Sequence, residues 1–142
     1  MVVVLSSLAG IIAGAVLQYF FTQHLEAKRL HRELRSKSYM DYLKCVSEHA
    51  NLVVNKQSKE GRELGVRTAD AKCRICLYGS ATAIQAFAEF EHLGSTMNTV
   101  EQRDAFTKMI AIMRTDSGGI GFARVEDLEA VLLGVQHPGL RL

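Results

Sequence analysis

The chain has 142 residues, 48% hydrophobic and 23% charged, with one proline, three cysteines and a formal net charge of +2. That length allows one small domain, and the composition excludes disordered and collagen-like chains. Three cysteines cannot complete a disulfide framework, which excludes small secreted scaffolds of that kind.

Residues 1–23 carry no charged side chain. Val2 to Phe21 reads VVVLSSLAGIIAGAVLQYFF, and 20 residues of helix reach about 30 Å, the thickness of a bilayer's hydrocarbon core. Tyr19, Phe20 and Phe21 cluster at one end, where aromatic rings favour the headgroup level. The stretch therefore predicts a transmembrane helix over residues 2–23, with the lipid bilayer as the first partner. A signal peptide would open on a basic stretch, whereas Met1 runs directly into valines. Within the span, Ser6, Gly10, Ala13 and Gly14 form a face of small residues, and Gly10-x-x-x-Gly14 matches the spacing that lets membrane helices pack closely.

A basic collar follows. Lys28, Arg29, Arg32, Arg35 and Lys37 stand against Glu26 and Glu33, five cations less two anions, or +3 over residues 24–37. Such a collar stays on the cytoplasmic side and meets anionic headgroups. The expected location is the inner membrane, single-pass, with the N-terminus outside and residues 24–142 in the cytosol. The collar lacks interleaved aromatics, so no nucleic-acid partner is expected.

No glycine or proline interrupts residues 15–60, and Tyr39, Tyr42, Leu43, Val46, Ala50 and Val53 recur at threes and fours. One long helix is expected to carry the chain from the membrane through a stalk, residues 24–60. A bundle, residues 61–134, follows. Gly61 and Gly65 are expected to bracket a turn, with a helix from Val66 to Tyr78 whose apolar side holds Ala69, Cys73, Cys76 and Leu77. Ser80 caps a third helix through Ile84, Phe87, Ala88 and Phe90, and Gly94 ends it. Thr99 with Gln102 forms a capping box for a fourth helix, whose apolar positions are Phe106, Met109, Ile110 and Met113. Asp116 to Gly121 is a loop. A short fifth helix, Val125 to Leu133, offers Leu128, Val131 and Leu132 for packing, and residues 135–142 form a tail. The fold class is all-α: an N-terminal transmembrane helix continuing into a stalk, with a small cytosolic helical bundle.

Motifs that carry chemistry are sparse. Cys73-x-x-Cys76 lies in a helical pattern, where thioredoxin-type use needs a strand before it, and Cys45 with His49 would have to complete a zinc set. Helix register decides whether these four can meet. Gly118-Gly119-Ile120-Gly121 lacks the Lys-Ser/Thr ending of a phosphate loop and follows a helix. The five histidines show no metal spacing, and Ser80 is outside any nucleophile elbow. No catalytic residue, cofactor, metal or small-molecule substrate is assigned, and a non-enzymatic protein is expected.

Leu77-Tyr78-Gly79-Ser80, with Ile84 and Phe87, and Met113-Arg114-Thr115-Asp116-Ser117-Gly118 are short motifs by which the chain resembles a group of small bacterial and phage membrane proteins. These have an N-terminal span, a basic stalk, a Leu-x-Gly-Ser helix junction and an Ala/Met-Arg-x-Asp-x-Gly helix end. This chain carries Ser117 where the group has Leu. The resemblance implies a topology and a bacterial or phage source, and no activity. Arg114 and Asp116 are expected either to finish a helix or to form a partner-docking corner. The functional expectation is a membrane-anchored assembly protein, either a homo-oligomer or a subunit of a membrane complex. The alternative is a membrane-acting effector of toxicity or phage defence.

Overall fold

The structure is a computed structural model, which describes residues 2–51, 57–121 and 123–134, with side chains from residue 14 onward. Five helices account for most of it: α1 (Val2–Ala50), α2 (Lys59–Tyr78), α3 (Ala81–His92), α4 (Val100–Asp116) and α5 (Val125–Leu133). No strand occurs among the described residues. The tail 135–142, Val53, and the side chains of Ser6, Gly10 and Ala13 lie outside the described residues.

The chain divides into two compact units, residues 1–34 and 35–142. The first is helix alone. Val16, Leu17, Tyr19, Phe20, Phe21, Leu25 and Leu30 are all exposed along it. Along it Gln23 donates to the Tyr19 hydroxyl at 2.8 Å, and Arg29 pairs with Glu33 at 3.0 Å. Among the described residues no helix is long and apolar enough to cross a membrane. Most of the predicted span, residues 2–13, has no described side chains. The uncharged remainder, residues 14–23, reaches only about 15 Å as a helix.

The second unit is a helical bundle, and it takes in residues 35–50, which the sequence pattern assigned to the stalk. The end of α1 runs antiparallel to α2, and two ion pairs bridge them. Glu48 meets Arg67 at 2.6 Å, and seven residues back Asp41 meets Arg74 at 2.8 Å. Tyr39 and Tyr42 enter the core as their spacing predicts, and Cys45 is buried beside them, whereas Ala50 is exposed.

Helix α2 departs from expectation twice. Ser58 caps it by accepting the Gly61 N–H at 3.1 Å, so the helix starts at Lys59 and absorbs both glycines that were expected to form a turn. Its buried positions are Gly61, Leu64, Ala71 and Ile75. The side holding Ala69, Cys73, Cys76 and Leu77 faces outward, with Leu77 71% exposed. That corrects the apolar face read from the sequence. The core takes the stripe containing the β-branched Ile75 and fully buried Leu64 instead.

The remaining helices follow their caps. Ser80 accepts the Ala83 N–H at 3.2 Å and starts α3, which buries Ala83, Ala86, Phe87 and Phe90. Thr99 and Gln102 form the capping box of α4, which buries Phe106, Met109, Ile110 and Met113. The Phe87 ring meets Tyr42 edge-on at 4.9 Å, and Phe90 meets Phe106 at 5.3 Å. Helix α5 ends at Gly134 in the left-handed conformation. Leu133 packs on the core, whereas Val131, expected to pack, is 84% exposed.

Candidate functional site

The densest polar cluster lies where α1, the α2–α3 junction and the end of α4 meet. Gly79 and Ser80 form the whole break between α2 and α3. Gly79 has φ −64°, which any residue adopts, so glycine is there for space. A Cβ at this position would stand 2.6 Å from the Ile75 carbonyl oxygen and 3.2 Å from the Tyr39 hydroxyl. With no Cβ in the way, Tyr39 reaches the backbone of the junction.

Asp116 closes the cluster. Its Oδ1 accepts from Arg35 Nη1 at 2.8 Å, and its Oδ2 accepts from the Tyr39 hydroxyl and from the Ser80 N–H at 3.3 Å. Arg35 Nε also donates to the Tyr78 carbonyl at 2.8 Å. The Arg35 and Asp116 side chains are only 22% and 12% exposed. Burial by itself would raise the Asp116 pKa. Hydrogen bonds from Tyr39 and Ser80 and the charge of Arg35 outweigh it, and hold the carboxyl below the usual carboxylate range. Burial, then donation to Asp116, pushes the Tyr39 phenol up to about 12. A carboxylate so fully supplied with donors is a poor proton acceptor at neutral pH and a good clamp. It ties three segments, with Asp116 standing 81 residues from Arg35.

The two short motifs singled out in the sequence thus meet in space. Arg114 sits two residues earlier on α4, on another side of the helix, and does different work. It donates to the Gly121 and Ile120 carbonyls at 2.9 and 3.0 Å, and its own carbonyl accepts the Gly119 N–H at 2.9 Å. The glycine-rich loop is folded back onto that guanidinium. Arg114 and Asp116, expected either to finish a helix or to form a docking corner, both bond within the chain. Arg35, placed in the collar by sequence, turns into the clamp, while Lys28, Arg29, Arg32 and Lys37 remain exposed. The sequence reading places Tyr39 only on an apolar stripe and Arg35 only in the collar. A tyrosine at a core position, one helical turn from an arginine, was the available signal, because a buried phenol needs a hydrogen-bond partner.

Beside the clamp is an open groove of about 740 Å³, lined by Thr82, Lys108, Ala111, Ile112, Thr115, Asp116 and Val125. Lys108 at its edge pairs with Glu89 at 3.0 Å. The four residues weighed for zinc do not come together as one set. Cys45 is buried, Cys73 and Cys76 are exposed, and the His49 ring bonds Thr68 at 3.3 Å. Among the described residues no three metal-ligating side chains converge.

No protein family, curated protein or solved structure matches this chain.

Proposed function

We propose that the protein is a non-enzymatic, membrane-anchored assembly protein. Residues 2–23 form the anchor, and the bundle is presented on the cytosolic side. One observation carries the reading: Val16, Leu17, Tyr19, Phe20 and Phe21 are exposed along a helix in a stretch without a single charged side chain. So much apolar surface on one isolated helix costs free energy in water and gains it in lipid or against other helices. The basic residues that follow set the orientation, N-terminus outside. Gly14 supports self-association, since a Cβ there would meet nothing within 4 Å, which leaves this position open to a neighbour. The clamp gives the bundle a fixed shape, as a docking module needs.

Alkaline phosphatase and fluorescent-protein fusions at Leu142 test topology together with alkaline extraction of membranes. Fluorescence without phosphatase activity, in a carbonate-resistant fraction, is expected. An extractable protein, or a periplasmic C-terminus, would sink the reading. Charge reversal of orientation is to be attempted with Lys28, Arg29 and Arg32 only, because Arg35→Gln would also break the clamp. Gly10→Leu with Gly14→Leu should lower the crosslinked oligomer fraction and leave insertion intact. Collapse of the membrane potential on overexpression would favour the effector reading instead.

A further inference from the structure

The outward side of α2 is built like an interface. Val66, Ala69, Cys73, Cys76 and Leu77 fall within a sector of about 100°, roughly opposite the buried Leu64, Ala71 and Ile75, at 3.6 residues per turn. The first four are spaced three, four and three apart, the rhythm of a two-helix seam. Val66 and Leu77 are each 71% exposed. Gly65 and Ala69 leave room for a second helix to come close, and a Cβ added at Gly65 would meet nothing within 4 Å.

In the middle of this stripe stand two free, exposed thiols. Residues three apart on a helix have Cβ atoms about 5–6 Å apart, whereas a disulfide needs about 3.5–4.5 Å, so direct oxidation of the pair would distort the helix. A bridging metal suits the spacing better. Two bonds of about 2.3 Å from a tetrahedral zinc ion to thiolates put the sulfurs roughly 3.8 Å apart, a gap the two side chains can close by rotation. Such a pair is half of a closed tetrahedral set. The described residues do not supply the other half, since no three ligating side chains converge among them and Cys45 is buried.

From the half-complete ligand set and the unpartnered seam around it, we infer that Cys73 and Cys76 of two copies bind one zinc ion between paired α2 helices. A two-fold axis through the metal makes the same two residues serve twice. Val66, Ala69 and Leu77 then pack on either side of the metal. Each thiol gives its proton to solvent, so four protons leave for each zinc bound and no oxidant is required. The inference rests on the self-association and cytosolic placement of the proposed function, the latter because it keeps the thiols reduced.

The test uses the full chain, reduced, stripped of metal and held in mild detergent, with cobalt(II) as probe and zinc as competitor. Sulfur-to-cobalt charge-transfer bands and intense visible bands of a tetrahedral tetrathiolate should saturate at one cobalt per two chains, and zinc should bleach them. Cys73→Ser with Cys76→Ser should abolish the bands. Val66→Glu should weaken cobalt binding at least tenfold with helix content unchanged. Saturation at one metal per chain, bands of fewer than four thiolates, or bands that survive the double serine variant would overturn the site. Membrane extraction of the double serine variant should match the parent. Loss of the metal site thus leaves the anchor standing, and failure of the anchor is read from extraction alone.

Discussion

Replacing Asp116 with alanine removes the acceptor that three donors share. Arg35 keeps only the Tyr78 carbonyl among the bonds described, and the Tyr39 hydroxyl loses the carboxylate to which it donates. A hydrogen bond to a charged group contributes about 1.5–3 kcal/mol, and stranding one member of a fully buried ion pair costs about 3–5 kcal/mol. The Arg35 side chain is 22% exposed, so water recovers part of that loss. The net cost should be about 2–4 kcal/mol, a fall of roughly 10 °C in melting temperature for a unit of this size. Near-ultraviolet circular dichroism is the suitable assay, because Tyr39 and Tyr42 are fixed in the bundle core while Tyr19 is 61% exposed and contributes a weaker signal. Arg35→Met completes a double-mutant cycle with Asp116→Ala, and a coupling of about 1–3 kcal/mol is expected for groups in contact. A melting temperature within about 2 °C of the parent, or additivity within about 0.5 kcal/mol, would refute the clamp.

Two glycine substitutions should have opposite signs. Gly79→Ala forces a Cβ against the Ile75 carbonyl oxygen and should cost about 1–3 kcal/mol, whereas Gly65→Ala, in open space within a helix, should gain about 0.5–1 kcal/mol. Urea midpoints of the two variants check this directly. Phe87→Asp should unfold the bundle, because it buries an unpaired charge, while Leu77→Asp should shift the stability of the metal-free protein by no more than about 0.5 kcal/mol. Equal damage from both would reverse the orientation of α2. On pH, the lowered Asp116 pKa contributes stability that is present above the ordinary carboxylate pKa of about 3.9 and lost as pH falls through the lower folded value. Tyr39 acts at the other end: its contribution is complete below pH 10 and disappears as pH rises towards about 12. Asp116→Asn should flatten the acid limb of a stability–pH curve, and an unchanged limb would mean other carboxylates govern it.

What could be read beforehand was local. Ser80 and Thr99 with Gln102 announce helix starts through bonds made within four residues, and the structure has both. Phe106, Met109, Ile110 and Met113 form one stripe and are buried together. Helix α2 misled because it carries two apolar stripes, and the exposed one contains more hydrophobic residues than the buried one. Periodicity measures the presence of a stripe and says nothing of which neighbour covers it. Gly61 and Gly65 looked like a turn because glycine is costly in a helix, but Ser58 upstream supplies the cap that starts one. The clamp was invisible for a different reason. Asp116 can always be read as a helix end, and its link to Arg35 and Tyr39 exists only once the chain has folded across some 80 residues.

The charged ladder between α1 and α2 has a consequence for how the bundle assembles. Its two rungs, Glu48–Arg67 and Asp41–Arg74, are separated by seven residues on each helix. Sliding one helix by seven residues therefore preserves a rung, either Asp41 opposite Arg67 or Glu48 opposite Arg74, and keeps the same helix faces together. The hairpin's own charges discriminate weakly between these alignments. Discrimination comes from Tyr39, whose hydroxyl fits only against the one junction residue without a Cβ, and from Asp116, which then holds it there. During synthesis the hairpin emerges first, while Asp116 lies 77 residues downstream of Tyr39. A nascent hairpin can thus exchange between alignments until α4 is complete, and the last helix turn to arrive selects the correct one. Bundles lacking the carboxylate should refold with a slow phase that reports escape from the slipped pairing, even where the final structure is reached.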